Sequence, residues 1–153
     1  MDLVDVIPTG DLCTVIKLLN SCTDVNFKNN GMTPLATASM NGNYEIVKLL
    51  LEHNADPNIE CSGNTALIYG FFSYDIVKLL LHYGANPNFV NKYGDTVLFF
   101  TVRDEHPYDP LPQAKNCGKI TKLLINNGVD VTIKNNRGLT AYDNATDKIK
   151  KLL

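Results

Sequence analysis

The sequence predicts an all-α solenoid, a row of helix pairs stacked side by side and joined by tight turns. Three observations carry that prediction. Gly31-Met32-Thr33, Gly63-Asn64-Thr65, Gly94-Asp95-Thr96 and Gly138-Leu139-Thr140 repeat one phrase at intervals of 32, 31 and 44 residues. Ile46-Val47-Lys48-Leu49-Leu50 returns as Ile76-Val77-Lys78-Leu79-Leu80 and, more loosely, as Ile120-Thr121-Lys122-Leu123-Leu124. Each run is followed by a third landmark: Asn54-Ala55-Asp56-Pro57-Asn58, Gly84-Ala85-Asn86-Pro87-Asn88 and Gly128-Val129-Asp130-Val131-Thr132. Landmarks recurring in fixed order mark a repeat architecture, in which one unit cannot bury its own apolar face and needs neighbours.

The stretch Asn29–Asn58 sets the pattern. Thr33 is an N-cap donor followed by Pro34, the residue best tolerated at a helix's first position. That short helix stops near Asn41-Gly42, a dipeptide suited to a chain reversal. A second helix carries Ile46, Val47, Leu49, Leu50 and Leu51, spaced to place most of them on one buried stripe. It ends before Asn54, which stands where Gly84 and Gly128 stand later; Asn is the usual substitute for Gly in the left-handed conformation that closes a helix. With the Thr33-Pro34-Leu35 signature and a period near 33, the sequence resembles the ankyrin-repeat family along essentially its whole length. The resemblance implies about five units, with boundaries near 1–27, 28–60, 61–90, 91–134 and 135–153, the terminal two acting as caps, and short β-hairpin-like finger turns between units.

In chain order, Leu3, Val4, Val6 and Ile7 form a first helix broken by Pro8-Thr9-Gly10-Asp11, and Val15, Ile16, Leu18 and Leu19 form the second. In the unit at 28–60, Ala36 replaces the family's usual His. In the next, Leu67 and Ile76 are 9 residues apart where Leu35 and Ile46 are 11 apart. The helix-to-helix turn is therefore shortened, and Phe71, Phe72, Ser73 and Tyr74 crowd the corner. The aromatics either fill the gap, the reading weighted more heavily, or Phe72 faces a partner. Between Leu98 and Ile120 the separation is 22 residues. The extra residues lie within 104–116, where Pro107, Pro110 and Pro112 prevent a helix and make an irregular loop. The last unit places Asp143 at the family's His position and ends on Ile149, Leu152 and Leu153, with Lys148, Lys150 and Lys151 favouring a helix C-terminus. First helices are predicted near 2–7, 34–41, 66–72, 97–103 and 141–146, and second helices near 12–20, 44–53, 74–82, 118–126 and 148–153. The fingers from Asn26 to Gly31 and from Asn58 to Gly63 are one residue shorter than those from Asn88 to Gly94 and from Thr132 to Gly138, so the tips are not expected to form one even row.

Composition narrows the functional classes. Of 153 residues, 44 % are hydrophobic and 20 % charged, ordinary for a soluble globular chain. A formal net charge of −2 gives no electrostatic reason to expect nucleic acid or an anionic membrane as partner. Asp2 and Asp5 interrupt the apolar N-terminal run, so no signal peptide is read, and no segment reaches the apolar length of a membrane span. Cys13, Cys22, Cys61 and Cys117 have neither zinc-site nor CxxC spacing, so reduced thiols, no metal and a cytoplasmic or nuclear setting are expected. His53 and His82 end second helices and are read as solvent-facing or loop-bonded. His106 beside Asp104 and Asp109 lacks the spacing of a metal site. No catalytic triad, phosphate loop or dinucleotide fingerprint is present, so neither enzyme activity nor a cofactor is expected.

The resemblance instead implies a binding scaffold whose partner surface is the finger turns and the concave first-helix face. On this sequence that surface comprises Asn29, Asn30, Met32, Met40, Asn41, Cys61, Ser62, Asn64, Phe72, Lys92, Tyr93, Asp95, Arg103, Asn136, Arg137 and Leu139, with Tyr108 from the insertion. Met32, Met40, Phe72 and Tyr93 supply adaptable and rigid apolar anchors within a polar rim. The expected function is a non-catalytic protein-interaction module, monomeric when alone. A self-associating building block is the competing reading. Abundant Asn, Lys and Ile fit an AT-rich genome, and the resemblance extends to ankyrin proteins of large DNA viruses and intracellular microbes that divert host pathways.

Overall fold

The computed structural model describes residues 2–21, 24–102 and 116–153. Helices follow one another in antiparallel pairs: α1 (Leu3–Val6, continued by a 3-10 turn at Ile7–Thr9) with α2 (Leu12–Ser21), α3 (Pro34–Met40) with α4 (Tyr44–Glu52), α5 (Ala66–Tyr69) with α6 (Tyr74–His82), α7 (Val97–Thr101) with α8 (Cys117–Asn126), and the short α9 (Ala141–Asn144) and α10 (Asp147–Lys150). The architecture is an all-α repeat fold. Among the described residues extended pairing is limited to two isolated antiparallel bridges, Asn29 with Met32 and Cys61 with Asn64.

Local signals start α3 and stop the second helices α4, α6 and α8. Thr33 Oγ1 accepts the Ala36 N–H at 3.2 Å, with Pro34 as the first helical residue of α3. Asn54 adopts φ +64°, its N–H bonds to Leu51 O, and the Ala55 N–H reaches Leu50 O. Gly84-Ala85 and Gly128-Val129 close α6 and α8 with the same pair of bonds. These are Schellman closures, in which a left-handed residue satisfies the last carbonyls of the helix.

The second helices bury one stripe: Ile46, Val47, Leu50 and Leu51 on α4, Ile76, Val77 and Leu80 on α6, and Ile120, Thr121 and Leu124 on α8. Thr121 stands where the earlier copies have Val, and its buried hydroxyl donates to Thr101 O at 3.3 Å, which removes the cost of an unpaired polar group. First helices pack on first helices and second on second: α3 contacts α4 and α5, and α4 contacts α2 and α6. One continuous apolar core therefore runs from Leu3 through Ile149.

Several helices are shorter than the sequence predicts. The expected helix over 66–72 stops at Tyr69, because α6 comes in directly over Gly70. A Cβ there would lie 2.8 Å from Ile76 Cγ2 and 3.4 Å from Ser39 Cβ. The shortened corner is thus closed by a bare backbone. Phe71 packs beside Phe100 with ring centroids 5.6 Å apart, and Phe72 lies edge-on to Phe71 at 5.8 Å. The helix expected over 97–103 ends at Thr101, that over 141–146 at Asn144, and that over 148–153 runs from Asp147 to Lys150. The Pro-rich insertion read at 104–116 lies outside the described residues except for Asn116.

α9 is opened by a reciprocal cap. The Thr140 N–H and hydroxyl donate to Asp143 Oδ2 at 2.7 and 2.8 Å, and the Asp143 N–H returns to Thr140 Oγ1. The Thr140 backbone N–H, then its hydroxyl, hold the Asp143 carboxyl below its ordinary pKa of 3.8, with smaller pulls from Lys134 and Lys150. A pKa lowered by folding contributes stability above the unfolded value, and that contribution is lost as pH falls through the folded one. Cα chemical shifts of 141–144 should accordingly lose helical character in a transition below pH 3.8. Asp143→Asn should lack that transition; if it titrates like the wild type, another carboxylate governs the cap.

A second set of bonds joins the pairs at the loops after the second helices. Asn26 Oδ1 accepts the Asp56 N–H at 2.8 Å, Asn58 Oδ1 the Asn86 N–H at 2.7 Å, and Asn88 Oδ1 the Asp130 N–H at 2.6 Å. The same amides donate through Nδ2 to Asn54 O, Gly84 O and Gly128 O. Each asparagine thus bridges to the main chain of the following loop. Thr132 occupies the next equivalent slot, and its hydroxyl turns back to Asp130 Oδ1.

Candidate functional site

The turns that precede each Thr cap are built in two ways, set by their length. At Asn29–Met32 and Cys61–Asn64 the flanking residues exchange both backbone bonds around two central residues, Asn30-Gly31 and Ser62-Gly63, all with positive φ. This is the two-residue turn for which Asn-Gly is the preferred pair. At Asn91–Asp95 and Asn135–Leu139 one more residue is accommodated. Asn91 and Asn135 each accept two backbone N–H groups of their own turn through Oδ1, Tyr93 and Asp95 in the first, Arg137 and Leu139 in the second.

The tips are tied sideways. Asn91 Nδ2 donates to Asn64 Oδ1 at 3.3 Å. The Asn136 N–H bonds to Tyr93 O at 2.9 Å, Asn136 Nδ2 to Lys92 O at 3.0 Å, and Asn135 Nδ2 to Asp95 Oδ1 at 2.8 Å. Gly94 permits this approach: at φ +77°, a Cβ would stand 2.8 Å from the Asn136 nitrogen and 2.9 Å from Asn135 Cα.

Two clefts gather six of the sequence-derived surface residues. One, of about 270 Å³, lies between the last two tips and is lined by Tyr93, Asp95, Asn135, Asn136 and Arg137. Tyr93 is 59 % exposed and has Lys92 Nζ 5.1 Å from its ring centroid. The other, of about 410 Å³, is lined by Asn41, Gly42, Phe72, Ser73, Tyr74, Asp75 and Asn116 at the shortened corner. There Phe72 is half-buried, and its ring would meet a Cβ on Gly42 at 3.3 Å, so it covers that turn.

The remaining residues are placed unevenly. Asn30, Met40, Asn41, Ser62, Lys92 and Arg137 are exposed, whereas Met32, Asn64, Asp95 and Leu139 are half-buried. Asn29 is also half-buried, and its Nδ2 donates to Asp2 Oδ2 at 2.7 Å, tying the first turn to the start of α1. Cys61, read from the sequence as surface, is fully buried with Sγ 3.4 Å from Thr33 Oγ1. The first residues of the two longer turns, Asn91 and Asn135, are buried as well. Arg103 and Tyr108 lie outside the described residues, as do Cys22 and His106.

His53 Nδ1 lies 2.8 Å from Leu49 O at the end of α4, and His82 stacks edge-on to Tyr83. Both are exposed, as the sequence suggests. Among the described residues no three His, Cys, Asp or Glu side chains converge as metal ligands would, and no helix is long and apolar enough to cross a membrane. The interunit bridges of Asn26, Asn58 and Asn88 escaped sequence reasoning. The available signal was an Asn recurring immediately after the Ala-x-Pro or equivalent loop.

Stacked helix pairs, with Thr at the N-cap position of α3, α5, α7 and α9 and a left-handed Asn or Gly closing α4, α6 and α8, define a helical solenoid. The family description "Ankyrin repeats (3 copies)" matches residues 3–91, and the chain belongs to the ankyrin-repeat family. It is 31 % identical over 132 residues to a putative ankyrin repeat protein of Fowlpox virus (strain NVSL). The match covers 86 % of this chain and 16 % of that protein. Ankyrin repeats are generally non-catalytic protein–protein interaction modules.

Proposed function

We propose that this chain is a non-catalytic protein-binding scaffold that holds a partner along its finger turns and first-helix face. The units run near 1–27, 28–60, 61–90, 91–134 and 135–153, the outer two serving as caps and the turns between units as fingers. One observation carries the reading above the rest: the tip turns are hydrogen-bonded side to side while Tyr93 is left 59 % exposed. A rigid aromatic on a pre-ordered edge loses little entropy when a partner covers it, which is the character of an interface anchor. Met40, 48 % exposed at the end of α3, adds an adaptable apolar contact. The scaffold acts in the cytoplasm and is a monomer until the partner arrives.

Similarity to a fowlpox virus protein supports a second, narrower reading, an adaptor that diverts a host pathway. It uses the same surface and differs only in whose protein is bound.

The test compares the two faces. Glu45, Lys48 and Glu52 are exposed on α4, with Lys48 Nζ 4.0 Å from Glu52 Oε1, and such surface pairs contribute little. Met32→Ala with Tyr93→Ala is expected to weaken partner capture by roughly 2 kcal/mol or more while leaving circular dichroism and Tm nearly unchanged. Glu45→Ala with Lys48→Ala should change neither. Loss of capture with the second pair and retention with the first would place the interface on the second helices instead. A dimer of the isolated chain by light scattering would favour the self-associating building block.

A further inference from the structure

We propose that the cleft between the last two tips binds an acidic segment of the protein partner, one that carries carboxylates beside an aromatic or long aliphatic side chain. The inference rests on the scaffold reading above and names the chemistry its edge selects. Three groups meet there. Tyr93 offers a largely exposed ring, Lys92 Nζ stands 5.1 Å from its centroid, and Arg137 is exposed on the neighbouring tip. Among the described residues neither cation has a carboxylate partner, the only ion pair there joining Lys48 and Glu52. Asp95, the acid that lines the cleft, already accepts the Asn135 amide through Oδ1.

These groups sit on pre-ordered backbone. Asn136 bridges the two tips through Tyr93 O and Lys92 O, so the ring and Arg137 are held on tied turns before anything binds. A guanidinium recognises a carboxylate through two parallel N–H···O bonds, and the tyrosine face accommodates an adjacent apolar side chain.

The charge distribution points the same way. Residues 116–153 hold seven Lys and Arg against three Asp, whereas the other described residues, 2–21 and 24–102, hold five Lys against ten Asp and Glu. An acidic segment is therefore attracted to this end of the edge and repelled from the remainder, which fixes its position as well as its sign. A long polyanion such as a nucleic acid would run onto the acidic part, so a short acidic protein segment fits better.

The experiment is an NMR titration of isotope-labelled full chain at low salt with an acetylated, amidated pentapeptide of glutamate–aspartate–phenylalanine–glutamate–aspartate. Saturable shifts are expected at the amides of Tyr93, Asp95, Asn136 and Arg137. Affinity should drop about tenfold or more in Lys92→Ala with Arg137→Ala and should weaken as salt rises. The corresponding lysine-substituted peptide should leave these amides unmoved. Absence of shifts up to millimolar peptide, or shifts confined to other residues, overturns the proposal. Equal saturation of the same amides by a short thymidine oligonucleotide overturns it in favour of phosphate recognition. If the peptide fails but Met32→Ala with Tyr93→Ala still cuts partner capture, the acidic preference falls and the scaffold reading stands. If the peptide binds as described and that pair leaves capture intact, the scaffold reading falls instead.

Discussion

Leu50→Ala is expected to lower folding stability by roughly 2–5 kcal/mol, read from urea unfolding of the full chain. Leu50 is 0 % exposed, lies on the buried face of α4, and its carbonyl accepts the Ala55 N–H that closes the helix. Because α4 contacts both α2 and α6, the cavity is shared by neighbouring pairs and cannot collapse by a shift of one helix alone. In a stack of nearest-neighbour contacts the damage should be local before it is global. Hydrogen exchange should accelerate first in α3 and α4, and less in α9. A loss of under about 1 kcal/mol would mean that the site repacks freely and that the stripe is not the core.

Gly94→Ala should be the most damaging change at the tips. Gly94 and Gly138 share left-handed backbone, φ +77° and +74°, and a side chain in that conformation costs about 1–2 kcal/mol at either position. At Gly138 nothing lies within 4 Å of the added Cβ, so that strain is the whole effect. At Gly94 the Cβ meets the backbone nitrogen of Asn136 and Cα of Asn135, atoms that cannot rotate aside. The turns must part, and the Asn136 N–H to Tyr93 O bond is lost with them. A total on the order of 3 kcal/mol follows, together with collapse of the Tyr93–Arg137 cleft. Equal thermal shifts for the two variants would show that the tips are held together by something other than this contact.

The helices were legible because period, cap and closure agree. Thr33-Pro34 opens α3, the Ile46-Val47 to Leu50-Leu51 stripe buries the face of α4, and Asn54 or its glycine equivalents end the second helices. Agreement among local signals of different kind is what makes a repeat readable. The short first helices were less legible, since their ends depend on a neighbour. Nothing local to 66–72 says that Ile76 will occupy the space where a Gly70 side chain would be. Buried Cys61 was misread for a related reason: its burial depends on Thr33 of the preceding unit, whose hydroxyl lies 3.4 Å from its sulfur. For the candidate surface, Tyr93 and Arg137 could be named one by one. Their meeting in one cleft depends on Asn135 and Asn136, whose side chains bond across 40 and 44 residues of sequence. An asparagine in a turn reads equally well as a turn former, a solvated amide or a bridge, and only geometry separates the three.

The asparagine bridges carry a consequence for how such a chain can grow. The hydrogen bonds that Asn26, Asn58 and Asn88 make to the next loop go to one of its carbonyls and one of its N–H groups. The joint is therefore blind to the identity of the residues it joins. A unit copied by gene duplication and inserted after any of the three would find a working connection at once, without compensating substitutions on either side. Thr132 has no amide to offer and spends its hydroxyl on Asp130. At that junction a newcomer would lack this bridge, so lengthening by duplication is favoured inside the row and discouraged after 132.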